Sequence, residues 1–432
     1  MYISILSIIR MKQGICLLLF FLFISFEVQA QKVFLTSVND PTIKNLQVKR
    51  AGDFFAEPEI SLQGEKQIEI NFDVLGNEYK TYAYTITHCN ADWTPSNILP
   101  IEYMSGFQQL PVEDFANSMA TTTAYTNYRF FLPNDDIRFK LSGNYAVQVY
   151  DEADPQKILF TACFYVTESL VGIDAKISSN TDIDVNKQHQ QLEFVINHKN
   201  FPIQHPQVDL KIYVYQNDRR DNCVTGFKPS SILQNSLVFS HCPELIFKAG
   251  NEYRRMEFLT EKYNGMHVES VKFFNPFYHM TLYPDYKRNM TAYQYDQDQN
   301  GRFFTQCSQC SDPDTEADYY IVHFTLDEGK IPGGKVYLNG QFVHNAFDEM
   351  SRMEYNPDAG RYEKSLLLKA GNYNYQYLFV PDGETKGLTA PFEGDFAQTE
   401  NEYTIAVYYR PIGERYDRLI GHRKVRNQLA VF

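Results

Sequence analysis

Large apolar side chains recur at every second residue along this 432-residue chain, and that period admits strands and little else. Ile68, Ile70, Phe72 and Val74 alternate with Gln67, Glu69, Asn71 and Asp73. The same period carries Tyr82, Tyr84 and Ile86, then Leu192, Phe194 and Ile196, then Val208, Leu210, Ile212 and Val214. It returns at Tyr373, Tyr375, Tyr377 and Phe379, and at Tyr403, Ile405, Val407 and Tyr409. Successive side chains of a strand point to opposite faces, so each set builds one large-residue face. Aromatic residues reach 15%, with 33 Phe and 31 Tyr, which suits half-buried strands. No stretch of comparable length shows helical periodicity. Clusters of Gly, Pro, Asn and Asp separate the strand patterns, and this reads as an all-β chain of tandem immunoglobulin-like or early-set sandwiches.

A weak repeat sets their number at three. Leu141-Ser142-Gly143-Asn144-Tyr145, Lys248-Ala249-Gly250-Asn251-Glu252-Tyr253 and Lys369-Ala370-Gly371-Asn372-Tyr373 each precede a strand pattern. Their glycines stand 107 and 121 residues apart, close to the ~100 residues of one such sandwich. Gly and Asn both tolerate positive φ in the turn. The tyrosine is placed to tie its hydroxyl to nearby backbone, as a tyrosine corner does. The expected units are 31–169, 170–309 and 319–409, with an acidic linker of Asp312, Pro313, Asp314, Thr315 and Glu316. A basic tail, 410–432, carries Arg410, Arg415, Arg418, Arg423, Lys424 and Arg426 against Glu414 and Asp417. On a chain of net charge −13, this local excess makes Arg410, Arg415, Arg418 and Arg423 the expected contacts for an acidic partner surface.

Residues 1–30 read as a secretory signal: Arg10 and Lys12, an apolar run from Ile15 to Phe26, then Val28-Gln29-Ala30 before Gln31. Export leaves Cys89, Cys163, Cys223, Cys242, Cys307 and Cys310, an even number compatible with disulfides. Cys223 and Cys242 flank an expected loop, and Cys307-Ser308-Gln309-Cys310 forms a close pair; these four are the disulfide candidates. A zinc site needs four converging ligands, and no second Cys pair of that spacing exists. His88-Cys89 and His241-Cys242 read as structural residues, and no metal or cofactor is expected.

No Gly-x-Ser-x-Gly elbow, His-Glu-x-x-His pair, phosphate loop or dinucleotide fingerprint occurs, which argues against the hydrolase and nucleotide-binding classes built on them, and no small-molecule substrate is expected. Its acidic balance is unsuited to nucleic acid, which calls for a positive field. Trp93, the single tryptophan, is expected to bury in the first sandwich, with Asn90 and Asp92 forming the turn beside it.

The third unit resembles the early-set sandwich of glycogen-binding carbohydrate modules. The resemblance lies in Gly333-Gly334-Lys335-Val336-Tyr337-Leu338-Asn339-Gly340-Gln341-Phe342, in Tyr355 to Glu363 and in Gly371 to Tyr377. That family places a sugar-stacking Trp just after this Phe; here Val343, His344, Asn345 and Ala346 follow. The likeness of the third unit alone supports an alternative reading as a periplasmic carbohydrate-binding or sensing protein, and the missing Trp argues against it. The chain as a whole resembles the plug proteins of the type IX secretion system. The features are Tyr82-x-Tyr84-x-Ile86-x-His88-Cys89-Asn90-Ala91-Asp92-Trp93, Glu102 to Phe107, Tyr125 to Tyr128, Phe131 to Asn134 and Leu141 to Tyr145. Thr399 to Tyr403, Tyr408 to Pro411 and Arg415 to Gly421 complete them. The resemblance implies a non-enzymatic protein of the periplasm, at the inner face of the outer membrane. It would close the pore of a large outer-membrane secretion barrel when no adaptor or substrate is engaged.

Overall fold

The computed structural model describes residues 32–427 except 54, 77 and 79, so the expected leader lies outside the described residues. Strands dominate, with only short helical turns between them. Three apolar cores hold the sheets together, and each is a sandwich of the expected class.

The first core runs from Ile43 to Val166. One of its sheets orders Ile43–Arg50, Ile68–Leu75, Tyr125–Leu132 and Asp114–Asn117. The other orders Ser37–Val38, Asp154–Thr167, Gly143–Asp151, Tyr82–Cys89 and Gln109–Pro111. Ile68, Ile70 and Phe72 are fully buried, as their period demands. Asn71 and Asp73, on the opposite face, are fully buried too. A polar face of this kind is buried only when something docks on it, and the third core does.

The third core runs from Met256 to Phe392. Its larger sheet orders Val268–Phe274, Phe277–Leu282, Tyr319–Leu326, Arg361–Lys369 and Glu354–Asn356. Its other sheet is built on Gly371–Pro381, which pairs with Arg254–Phe258, Phe303–Thr305 and Gly334–Asn339.

Chain order and packing order part company in the second core, which joins Val171–Phe247 to Tyr403–Ile420. One sheet contains Gly172–Ser178, His189–Asn197, Ser236–Phe239 and Ser231–Ile232. The other orders Arg219–Thr225, Leu210–Gln216, Glu402–Tyr409 and Arg418–Arg426. Leu210 pairs with Tyr409 and Gln216 with Tyr403 across this ladder. The alternating Tyr403, Ile405 and Val407 therefore pack beside Ile212 and Val214, not beside Tyr373 and Tyr375. The chain leaves the second sandwich unfinished, builds the third, and returns to close it.

The repeated turn is a tyrosine corner in two of its three occurrences. Tyr145 donates its hydroxyl to the Leu141 carbonyl at 2.7 Å, and Tyr373 donates to Lys369, each four residues back. Tyr253 instead accepts from Gln376 Nε2 at 2.9 Å. Gly143 is required on two counts: its φ is +146°, and a Cβ there would lie 2.4 Å from His88 Nε2.

Candidate interaction surface and the seams behind it

The C-terminal segment is a strand with a loop before it, and its arginines divide between ion pairs and solvent. Arg418 forks onto Glu168, Nε to Oε1 at 3.1 Å and Nη2 to Oε2 at 2.6 Å. Arg415 reaches Glu102 and the Asn97 carbonyl. Arg410 donates to the Glu414 carbonyl at 3.2 Å and lies 3.8 Å from Asp417. Arg423 is exposed, opposite Ile405 in the ladder. The segment expected as a basic tail is thus a loop and strand that clasp the first sandwich. Glu102 and Glu168 of the first sandwich take up two of the four cations because paired charges at a seam cost less than bare ones. Asp417 completes the clasp, fully buried, accepting from the Ala91 N–H at 3.0 Å and from Lys211 at 2.9 Å.

Around this clasp the loops present aliphatic tips. Leu99 and Ile101 stand beside Glu102, Val208 beside the Asp209 carbonyl that accepts from the Arg410 N–H, and Ile412 between the two arginines. Ile412 is 88% exposed. The surface is apolar and basic and is fed by three stretches of chain.

Two charged seams fix the sandwiches to one another. In the first, Lys369 Nζ donates to Asp73 Oδ2 and to the Asp314 carbonyl, both at 2.7 Å, with both charged side chains sealed from water. Tyr319 and Asn127 also donate to Asp73, and Lys369 sits 4.2 Å over the Tyr125 ring. Burial pushes the Asp73 carboxyl up and these donors pull it back. The acidic linker is part of this seam: Asp312 caps the turn Pro313–Glu316, and Asp318 accepts from Thr122 and Thr123 N–H.

In the second seam, Glu57 of the first sandwich meets Lys424 at 2.8 Å and accepts from Thr404. Lys424 also reaches Glu402 at 3.2 Å, and Arg302 binds the same carboxylate at 2.5 Å. Burial, then the neighbouring Glu57 charge, lifts the Asp218 carboxyl to about 6. A cavity of about 520 Å³ opens beside this node, lined by Arg255, Arg302, Arg426, Asp298 and Glu402. Each of its guanidiniums faces a carboxylate: Arg255 faces Asp296, while Arg302 and Arg426 share Glu402.

Trp93 is buried, as expected, but at a boundary and not in the main core. Its ring lies 3.9 Å beneath the Arg220 guanidinium of the second sandwich and edge-on to Tyr165. The local turn is the expected one, with Thr94 N–H on Asp92 and Trp93 N–H on the Asn90 carbonyl. His88 is held by Ser96 and the Ser142 carbonyl, and burial lowers its imidazole to about 4. No cluster of His, Cys, Asp or Glu among the described residues is arranged to hold a metal.

Cys307 and Cys310 are joined by a disulfide. Cys223 and Cys242 are free thiols: Cys223 lies in the strand Arg219–Thr225, while Cys242 Sγ turns to the Lys228 and Ser240 carbonyls. Cys89 and Cys163 stay free as well. Both their strands pair with Gly143–Asp151, so they lie two strands apart, about 9.5 Å, beyond disulfide reach.

Residues 43–168 match the family model for the type 9 secretion system plug protein 1st domain. That span coincides with the first core. The first sandwich of this chain belongs to the type IX secretion system plug family. A crystal structure of a hypothetical protein from Parabacteroides merdae is similar at 61% identity with a TM-score of 0.91, covering 92% of this chain and 100% of that one. No curated protein matches. Within the plug first domain lie Asp73, Glu57, Glu102 and Glu168, the acidic halves of the clasp and of both seams. None of these carboxylates stood out in the sequence. Lys369, a charge directly after Leu366-Leu367-Leu368, was the available signal, whereas Asp73 held an ordinary polar position of the alternation.

Proposed function

We propose that this protein is a non-enzymatic plug that closes the pore of the large outer-membrane barrel of the type IX secretion system while no adaptor or substrate is engaged. It acts in the periplasm at the inner face of the outer membrane, after removal of residues 1–30. The observation that carries this reading is the match of the first sandwich to the plug first domain. The seams support it: an obstruction must resist thermal fluctuation as one body, and buried ion pairs between sandwiches oppose their separation. Among the described residues no helix is long and apolar enough to cross a membrane. We assign the barrel contact to the patch of Leu99, Ile101, Val208 and Ile412 with Arg410, Arg415 and Arg423, because aliphatic tips flanked by guanidiniums suit an interface with acidic loops. Arg418 belongs to this surface through its hold on the loop.

The purified barrel in a planar bilayer tests the proposal. Adding the purified protein is expected to shut the large conductance. A conductance indifferent to excess protein sinks the pore-closing role. Closure that survives Ile412→Asp combined with Ile101→Asp moves the contact elsewhere and leaves the role standing.

A further inference from the structure

We propose that the outer edge of the strand Val268–Phe274 takes an extended polypeptide segment of a partner protein as an added β-strand. This strand ends the five-stranded sheet of the third sandwich and pairs, among the described residues, with Phe277–Leu282 alone. Phe274 and Phe277 close the two-residue turn between them. Alternation along an antiparallel ladder then turns the N–H and C=O groups of Val271 and Phe273 away from the partner strand. The Glu269 carbonyl already accepts from Asn264 Nδ2 at 2.8 Å, so the open stretch begins at Ser270.

The side chains make this edge adhesive. Phe273 and Phe274 are 51% and 58% exposed, on opposite faces of the strand. Each is steadied by a ring across the hairpin, Tyr278 at 4.9 Å and His279 at 5.2 Å. Water-soluble sheets blunt their edges with short strands, charges or bulges. Other edges here follow that practice. Glu354–Asn356 and Gln109–Pro111 are three residues long. Gly172–Ser178 carries Asp174 and Lys176, and Arg418–Arg426 carries Arg423 opposite the core residue Ile405. Val268–Phe274 carries Glu269 and Lys272 too, and what sets it apart is the pair of exposed phenylalanines beside its open backbone stretch.

The edge selects its occupant. Backbone donors and acceptors along a strand are matched by another extended backbone. Val271 and Phe273 share one face and call for apolar residues opposite them. Lys272, on the other face, calls for an acidic residue. A second copy fits less well, since antiparallel self-pairing about Lys272 sets two ammonium groups face to face.

The test is amide hydrogen exchange on the purified protein with a blocked probe peptide of sequence Val-Thr-Val-Glu-Val-Thr. At about 1 mM peptide, exchange at Val271 and Phe273 is expected to slow about tenfold. Phe273→Pro, which deletes one outward N–H, is expected to abolish the effect. Replacing Glu by Lys in the peptide, a change that leaves the protein untouched, is expected to weaken it. No slowing at saturating peptide overturns the proposal. Protection that appears without peptide and rises with protein concentration overturns it too, by giving the edge to a second copy.

Discussion

Lys369 and Asp73 sit where neither has water, so each depends on the other for its charge. Removing one partner of such a pair costs about 3–5 kcal/mol, because the survivor is left buried and bare. Lys369→Met is expected to lose stability of that order in urea unfolding, and Asp73→Leu added to it to restore most of the loss. Equal losses in the single and double variants would refute the pairing. Glu252 makes a second prediction. Burial, then the Asp298 charge, lifts its carboxyl to about 8. A group whose folded value is raised binds its proton more tightly when folded. Its stabilisation is complete below its unfolded value near 4.5 and is lost as pH rises through about 8. His88 and His422, each lowered to about 4 by burial, work in the opposite sense: their contribution is complete above their unfolded value of 6.5 and changes no further there. Between about pH 6.5 and 8 the Glu252 contribution runs unopposed by those histidines, and melting temperature is expected to fall. Glu252→Gln, which holds the neutral form, is expected to flatten that slope; an unchanged slope assigns it to other groups.

The element that matters most is the returning pair Glu402–Tyr409 and Arg418–Arg426. Tyr403, Ile405 and Val407 supply core side chains to the second sandwich, and Leu210–Gln216 gains its second ladder from them. A chain ending at residue 401 is expected to keep slow hydrogen exchange in the first core, at Ile70 and Val147. It is expected to lose slow exchange at Leu192 and Ile196 of the second. Retained protection at Leu192 would show that this half-sandwich stands without its late strands. The period-two pattern made each strand legible, including these two, because a strand's two faces are written in its own residues. What the pattern could not carry is partner choice. Tyr403–Tyr409 and Tyr373–Phe379 have the same alternation, and nothing in either says which sheet it joins.

At the scale of the whole molecule, the all-β class follows from periodicity, but the spacing of Gly143, Gly250 and Gly371 does not count the cores, because Gly250 and Gly371 precede neighbouring strands of one sheet. The seams do not follow from periodicity either, since a buried charge pair is a relation between residues 296 apart, as in Asp73 and Lys369. The same holds for the tail. Its arginines advertise a positive surface in the sequence, yet Glu102 and Glu168 lie more than 240 residues away in the chain and close beside them in space. Charge counted along a chain overstates the charge left for a partner once the chain has folded.

The order in which the sandwiches close has a consequence for manufacture. A chain crossing a membrane from its N-terminus delivers the first sandwich whole, then half of the second, then the third, and only at the end the two strands that complete the second. Until residue 426 arrives, the middle of the molecule is an open sheet without its apolar cover. A product cut short by a stalled ribosome, or clipped late by a protease, would carry a native first sandwich and an exposed middle. Quality control could tell it from the full-length chain by touch alone, so this fold checks its own length.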